Sequence, residues 1–284
     1  MRLPVHTPYK NGDGGVKVGL EPIDHSDWLE VDDLFKAEIK QKKILYALHS
    51  DQVHCETSNS KESQSELLEI LKTHLKTYYP DHNFLDFDSS SLLQKASMMV
   101  QEDLVLMIPD NGKYFLGAAS LCAPSNWSLK EKFNKSLIDI HEYVPSYAKK
   151  IGSKVDNLFI KLPTDRIFQR FNWSIYENSS LFQPAKSKTD IERSSSIKGK
   201  NAGDKLFLRV ERQTIRRLPK TLSIIFTIRV HIDPLSSIQT NISLLRDLNL
   251  AIENLSNEMK VYKSIDQIEK PLKDWLNRRI NELL

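Results

Sequence analysis

Little in this chain marks a specialised class of protein, and each shortage closes off a reading. Two of its 284 residues are cysteines, Cys55 and Cys122, too few for a disulfide framework or a four-thiolate zinc site. Such sparing use of cysteine fits a reducing compartment, so a cytoplasmic location is expected. No segment approaches the run of about 18 apolar residues needed to cross a bilayer, and no membrane partner is expected. Residues 1–15 contain Gly and Pro but no apolar stretch of the kind a secretory leader carries. Charge of one sign is scarce as well. Forty Lys and Arg against 37 Asp and Glu leave a net +3, too little to signal nucleic acid as a partner. G-x-G-x-x-G, Walker and G-x-S-x-G motifs are all missing, which removes the commonest nucleotide and acyl-transfer signatures.

What is present is an ordinary globular composition, 40% hydrophobic and 27% charged, enough for a substantial core. Residues 1–17 read as a flexible N-terminus and residues 18–284 as one domain. Two strongly polar stretches, 49–65 and 183–204, read as surface loops.

Leucines and tyrosines at helical spacing predict a helix over 65–79, stopped by Pro80. Residues 103–108 and 114–122 are apolar runs flanking Asp110-Asn111-Gly112, and Asn-Gly between two such runs predicts a hairpin. Ser128 and Glu131 have capping-box spacing, opening a helix whose apolar stripe is Phe133, Leu137, Ile140, His141 and Val144. Pro145 ends it. A further helix is expected over 155–170, interrupted by Pro163, then strands at 173–176, 206–213 and 221–232. Amphipathic helices over 238–262 and 265–284 complete the chain. The order predicts an α+β fold: a five-stranded, mainly antiparallel, PAS-like sheet with helices on one face, plus N- and C-terminal helices.

His141 is the sharpest chemical feature. Within an apolar stripe it reads either as a core histidine satisfied by a backbone carbonyl or as an axial haem ligand. Residues 208–219 carry the second. On a strand, Arg209, Glu211 and Gln213 share one face while Leu206, Leu208, Val210 and Arg212 share the other. A row of Arg, Glu and Gln is either a solvated face or the wall of a polar pocket. The basic cluster around Arg217 suits haem propionates or nucleic-acid phosphates, and the lack of interleaved aromatics favours the former. Cys122 is an alternative thiolate ligand, though the end of an apolar strand suits a small buried hydrophobe. Without C-x-x-C-H, covalent haem attachment is not expected.

Several short stretches, in order, carry a likeness. They are Gly19-Leu20-Glu21-Pro22, Trp28-Leu29-Glu30-Val31-Asp32, Val100-Gln101-Glu102-Asp103-Leu104, and Pro124-Ser125-Asn126-Trp127 with Lys132. Ile140-His141 with Val144-Pro145, Arg170-Phe171-Asn172-Trp173, Arg209-Val210-Glu211-Arg212-Gln213-Thr214 and Arg217-Leu218-Pro219-Lys220-Thr221 continue it. Glu258-Met259 and Tyr262-Lys263 close it. Over residues 18–263 the chain resembles the haem-dependent oxidative N-demethylase α-subunit-like family.

The resemblance implies a haem-binding PAS-like fold that uses haem b and O₂ to remove a methyl group from a small secondary amine, dimethylamine in the characterised type, releasing formaldehyde. Electrons then come from a separate reductase carrying flavin and iron–sulfur centres. It implies His141 as the iron ligand, with Trp127, Lys132 and Arg217 on the cofactor. Arg209, Glu211, Arg212 and Gln213 become candidates for the catalytic, substrate-side pocket. The sequence departs from the family's His-x-Pro-Val-Pro segment by having Tyr143 at the first proline, and residues 183–204 read as an insertion. The competing function is a haem-based gas or redox sensor without turnover.

Overall fold

The computed structural model describes residues 2–13, 19–82, 84, 87–142 and 153–284. Its centre is one open antiparallel sheet of seven strands in the order β1-β5-β6-β7-β3-β4-β2. Five long strands, β3 (Asp103–Asp110), β4 (Lys113–Ser120), β5 (Ile167–Tyr176), β6 (Phe207–Arg217) and β7 (Ile224–Pro234), are those expected from the sequence. The sheet is larger than that expectation because two three-residue strands, β1 (Glu21–Ile23) and β2 (His54–Glu56), pair with its outer edges. Strands this short carry too few residues to show an alternation.

Asn111 and Gly112 both adopt positive φ, 46° and 78°, as the tight turn between β3 and β4 requires. The β6–β7 turn is held differently. The Glu66 carboxylate accepts the backbone N–H groups of Lys220 and Thr221 and the Thr221 hydroxyl, tying the turn to α2 (Lys61–Tyr78).

Both sheet faces are covered, where the sequence suggested helices on one. On the first face, Leu208 and Val210 of β6 pack with α9 (Ile242–Glu253) and α11 (Glu269–Glu282). Leu104, Leu106 and Ile108 of β3 meet α2 and α3 (Leu92–Ser97) there. On the second face, Val105, Met107 and Ile215 pack with the short helices α4 (Leu129–Lys132) and α5 (Leu137–Ile140) and with α6 (Ser153–Lys161). Strand alternation supplies the cause: consecutive β3 residues are apolar without interruption, so both faces need a covering layer.

Four local expectations are corrected. Residues 49–65 are not a loop: α1 (Phe35–Val53) runs into β2, and α2 begins at Lys61. Residues 183–204 contain α7 (Lys188–Ser196), opened by a Ser187–Asp190 capping box, and α8 (Ala202–Lys205). The expected helix from Ser128 breaks after one turn. Asn134 takes φ 58°, its N–H donates to the Leu116 carbonyl and Lys135 accepts from the Leu116 N–H. The chain therefore turns back onto β4 before Ser136 caps α5. Pro163, lacking an N–H, ends α6 for good, and the residues expected to continue that helix instead form β5.

Residues 2–13, expected as part of a flexible terminus, are anchored. Tyr9 is fully buried among the residues of α9 and α11, and the Gly12 carbonyl accepts from Asn254. At the other end, the expected helix over 238–262 is split into α9 and α10 (Asn257–Tyr262), the latter capped by the Ser256 hydroxyl. Among the described residues no helix is long and apolar enough to cross a membrane.

Candidate functional site

The polar row of β6 is buried, not solvated. Glu211 is 8% exposed and lies opposite Asn172 in the β5–β6 register, with Arg170 opposite Gln213. One carboxylate oxygen, Oε1, accepts from the Ser125 hydroxyl. The other, Oε2, accepts from Gln213 Nε2 at 2.7 Å and Asn172 Nδ2 at 3.4 Å. A carboxylate has about four acceptor positions, so these neutral donors leave room for one more.

Lys263, from the turn after α10, is 5% exposed. Its ammonium donates to Asn172 Oδ1 at 2.9 Å and to the Trp173 carbonyl. Burial lowers its pKa to about 8; Glu211 opposes that fall and Arg170 adds to it. Loss of water around the charged form outweighs the nearby carboxylate.

Arg209 shares the face of Glu211 but is a clamp. Its Nε donates to Ser125 Oγ at 2.9 Å, and its terminal nitrogens donate to the carbonyls of Ala123, Pro124, Ser180 and Leu181. Only 1% of it is exposed, and the guanidinium stands 5.7 Å over the Tyr176 ring. The Ser125 hydroxyl thus accepts from Arg209 while donating to Glu211. Asp103 secures the same loop, taking the N–H groups of Cys122 and Ala123. Burial raises the Asp103 pKa to about 6.

Arg212 is parted from this group by the strand's alternation. On the opposite face it donates to Gln169 Oε1 at 3.1 Å and to the carbonyls of Trp28 and Asp27. Arg217 lies farther along β6, donating to the carbonyls of Ile160 and Leu162. Trp127 packs half-buried in the second-face core, and Lys132 is buried at the end of α4. Cys122 is buried among Phe35, Ile39 and Tyr46, and its thiol is pushed up to about 12 by burial, which does not suit a thiolate ligand.

His141 stands at the C-terminal cap of α5, half-buried, with Nδ1 2.9 Å from the Leu137 carbonyl. A carbonyl only accepts, so Nδ1 carries the hydrogen, and the neutral ring holds its lone pair on Nε2. Burial lowers the His141 pKa most, the Leu137 bond raises it, and the charges of Arg170 and Lys132 lower it further. A neutral imidazole with its tautomer fixed through Nδ1 is the donor an iron or other transition metal takes, and cations beside it suit an anionic cofactor edge. This donor chemistry fits haem. Tyr143, Val144 and Pro145 lie outside the described residues.

One cation joins the two halves of the site. Arg170 shares the face of Glu211 through its register with Gln213, and Ile140, beside His141, packs with Ile215 of that face; the charge of Arg170 helps lower the pKa of both His141 and Lys263. Ser125, Arg170, Asn172 and Lys263 belong to the stretches that carry the family likeness. Nothing local in the sequence marks them as neighbours of Glu211, since they come together only through sheet register and loop packing.

The family model described as haem-dependent oxidative N-demethylase, alpha subunit-like, matches residues 19–273. That match runs from just before β1 into α11, and the family's name implies dependence on haem. The chain belongs to the haem-dependent oxidative N-demethylase alpha-subunit-like family.

Proposed function

We propose that this chain is the haem-binding subunit of an oxidative N-demethylase acting on a small methylated amine. His141 Nε2 is the iron ligand in this reading, and Lys132 and Arg170 supply positive charge for the propionates. The observation that carries it is Glu211: a buried carboxylate held entirely by neutral hydrogen-bond donors. The acceptor position these donors leave open suits the N–H of a small ammonium.

Haem, when bound, supplies oxygen activation and one-electron chemistry. Overall the N-methyl amine, O₂, two electrons and two protons give the demethylated amine, formaldehyde and water. The electrons come from a separate reductase with flavin and iron–sulfur centres. The chain's own residues do the rest. Glu211 orients the amine and accepts its proton at Oε2. Lys263 Nζ, with its depressed pKa, holds or releases a proton near neutral pH. Gln213, Asn172 and Ser125 fix the rotamer of Glu211, and Arg209 fixes Ser125. Arg209 and Arg212, candidates from the sequence for the substrate-side pocket, have their donors committed elsewhere and act as structural residues. A PAS-like description applies to the five long strands, with β1 and β2 as additions.

The test is turnover. Haem-loaded protein with an artificial electron donor should release formaldehyde from one of a panel of methylated amines. Stable O₂ or CO complexes with no formaldehyde from any of them would instead favour the gas- or redox-sensing reading.

A further inference from the structure

On the first sheet face, remote from Glu211, two histidines and a carboxylate converge. His6 comes from the N-terminal segment, Glu30 from the turn before α1 and His231 from β7. His6 Nε2 is 2.7 Å from Glu30 Oε1, and His231 Nε2 is 2.8 Å from Glu30 Oε2. One ligand atom from each residue lies within 4.8 Å of the others. His231 pairs with Val210 in the β6–β7 register, so its side chain is on the face opposite Glu211 and the sheet separates the two groups.

We propose that His6, Glu30 and His231 form a binding site for a divalent first-row transition-metal ion. Two imidazoles and one carboxylate with remaining positions open are a ligand set for zinc or ferrous iron. Bonds of about 2.0–2.2 Å in a tetrahedral site place ligand atoms roughly 3.4 Å apart. The observed trio meets that spacing after shifts of about an ångström.

Three further features favour an ion over a plain pair of hydrogen bonds. Both imidazoles address the carboxylate through Nε2, the nitrogen farther from the backbone, so both rings point at one place. Glu30 is fixed from behind, its N–H donating to Glu102 Oε1 at 2.8 Å, and the His6 ring rests on Phe171 with centroids 4.9 Å apart. Finally, the trio opens onto a cleft of about 850 Å³, which gives an ion a route in and room for water or a ligand at its open positions.

Arg212 opposes an ion, with Nε 3.6 Å from Glu30 Oε1. That charge is shared with the carbonyls of Asp27 and Trp28. Asp233 and Arg2 also line the cleft, as do Asp32 and Arg229, which are paired with each other at 2.7 Å. His6 lies before the residues matched by the family model, whereas Glu30 and His231 lie within them.

The experiment is calorimetric titration of chelator-treated, haem-loaded protein with zinc, repeated with cobalt(II), on the full chain and on three variants. One ion per chain should bind the parent. His231→Gln, His6→Ala and Glu30→Gln should each weaken binding at least about tenfold, a loss that even outer-shell changes reach. Circular dichroism identifies any variant that has failed to fold, and His6→Ala, at the terminus, keeps the test intact if His231→Gln does not fold. No zinc or cobalt(II) binding to the parent overturns the proposal. So does binding that the folded variants leave unaltered.

Discussion

Gln213 Nε2 donates to Glu211 Oε2 at 2.7 Å, joining two side chains two positions apart on one strand. The amide holds the carboxylate without neutralising it, whereas an arginine in that place would. Glu211→Gln removes the charge while keeping the shape. Turnover on a methylated amine should fall by about 100-fold or more, with the haem absorption band retained. Steady-state kinetics beside the spectrum check both parts, and near-normal turnover would remove Glu211 from the amine site.

Arg209 should matter through stability. Replacing it with Ala leaves the carbonyls of Ala123, Pro124, Ser180 and Leu181 without this donor. Bonds to a charged donor are worth about 1.5–3 kcal/mol each when lost singly and do not add, so a loss of about 3 kcal/mol or more is expected. Denaturant unfolding measures it. A change within about 0.5 kcal/mol would show that the clamp is dispensable.

Lys263 gives a pH signature. Its pKa is lowered to about 8 in the folded chain, against about 10.4 for a lysine in the unfolded chain. Between those values the unfolded state holds more protons, so rising pH stabilises the fold. Below pH 8 the charged form costs the fold, net of its neighbours, on the order of 3 kcal/mol relative to the neutral amine. The stability of the parent relative to Lys263→Met should therefore climb from pH 8 to 10. Melting curves across that range test it, and a flat difference contradicts it.

Much of this site was legible in part. Asn111-Gly112 announced its hairpin because few residues accept two positive φ values. Alternation on β6 correctly parted Arg212 from Arg209, Glu211 and Gln213. It could not say which face was buried, since that depends on Ser125, Asn172 and Lys263 arriving from distant segments. The Ser128–Glu131 spacing misled: Ser128 stands at the N-cap of α4 but makes no side-chain cap bond, and the Lys135–Leu116 and Asn134–Leu116 backbone bonds that break that helix are made to a strand. Ser187 and Asp190 form a true box within a stretch whose polarity had suggested a loop. His141 consequently sits at a helix cap, a position its supposed apolar stripe did not indicate.

In the proposed function His141 holds haem iron through Nε2, with Nδ1 committed to the Leu137 carbonyl. The most direct test is the absorption spectrum of haem-loaded parent protein beside that of His141→Ala, with circular dichroism confirming that both are folded. A Soret band is expected in the parent, with its loss or large displacement in the variant. A parent without a Soret band, or a variant whose spectrum is unchanged, would contradict it.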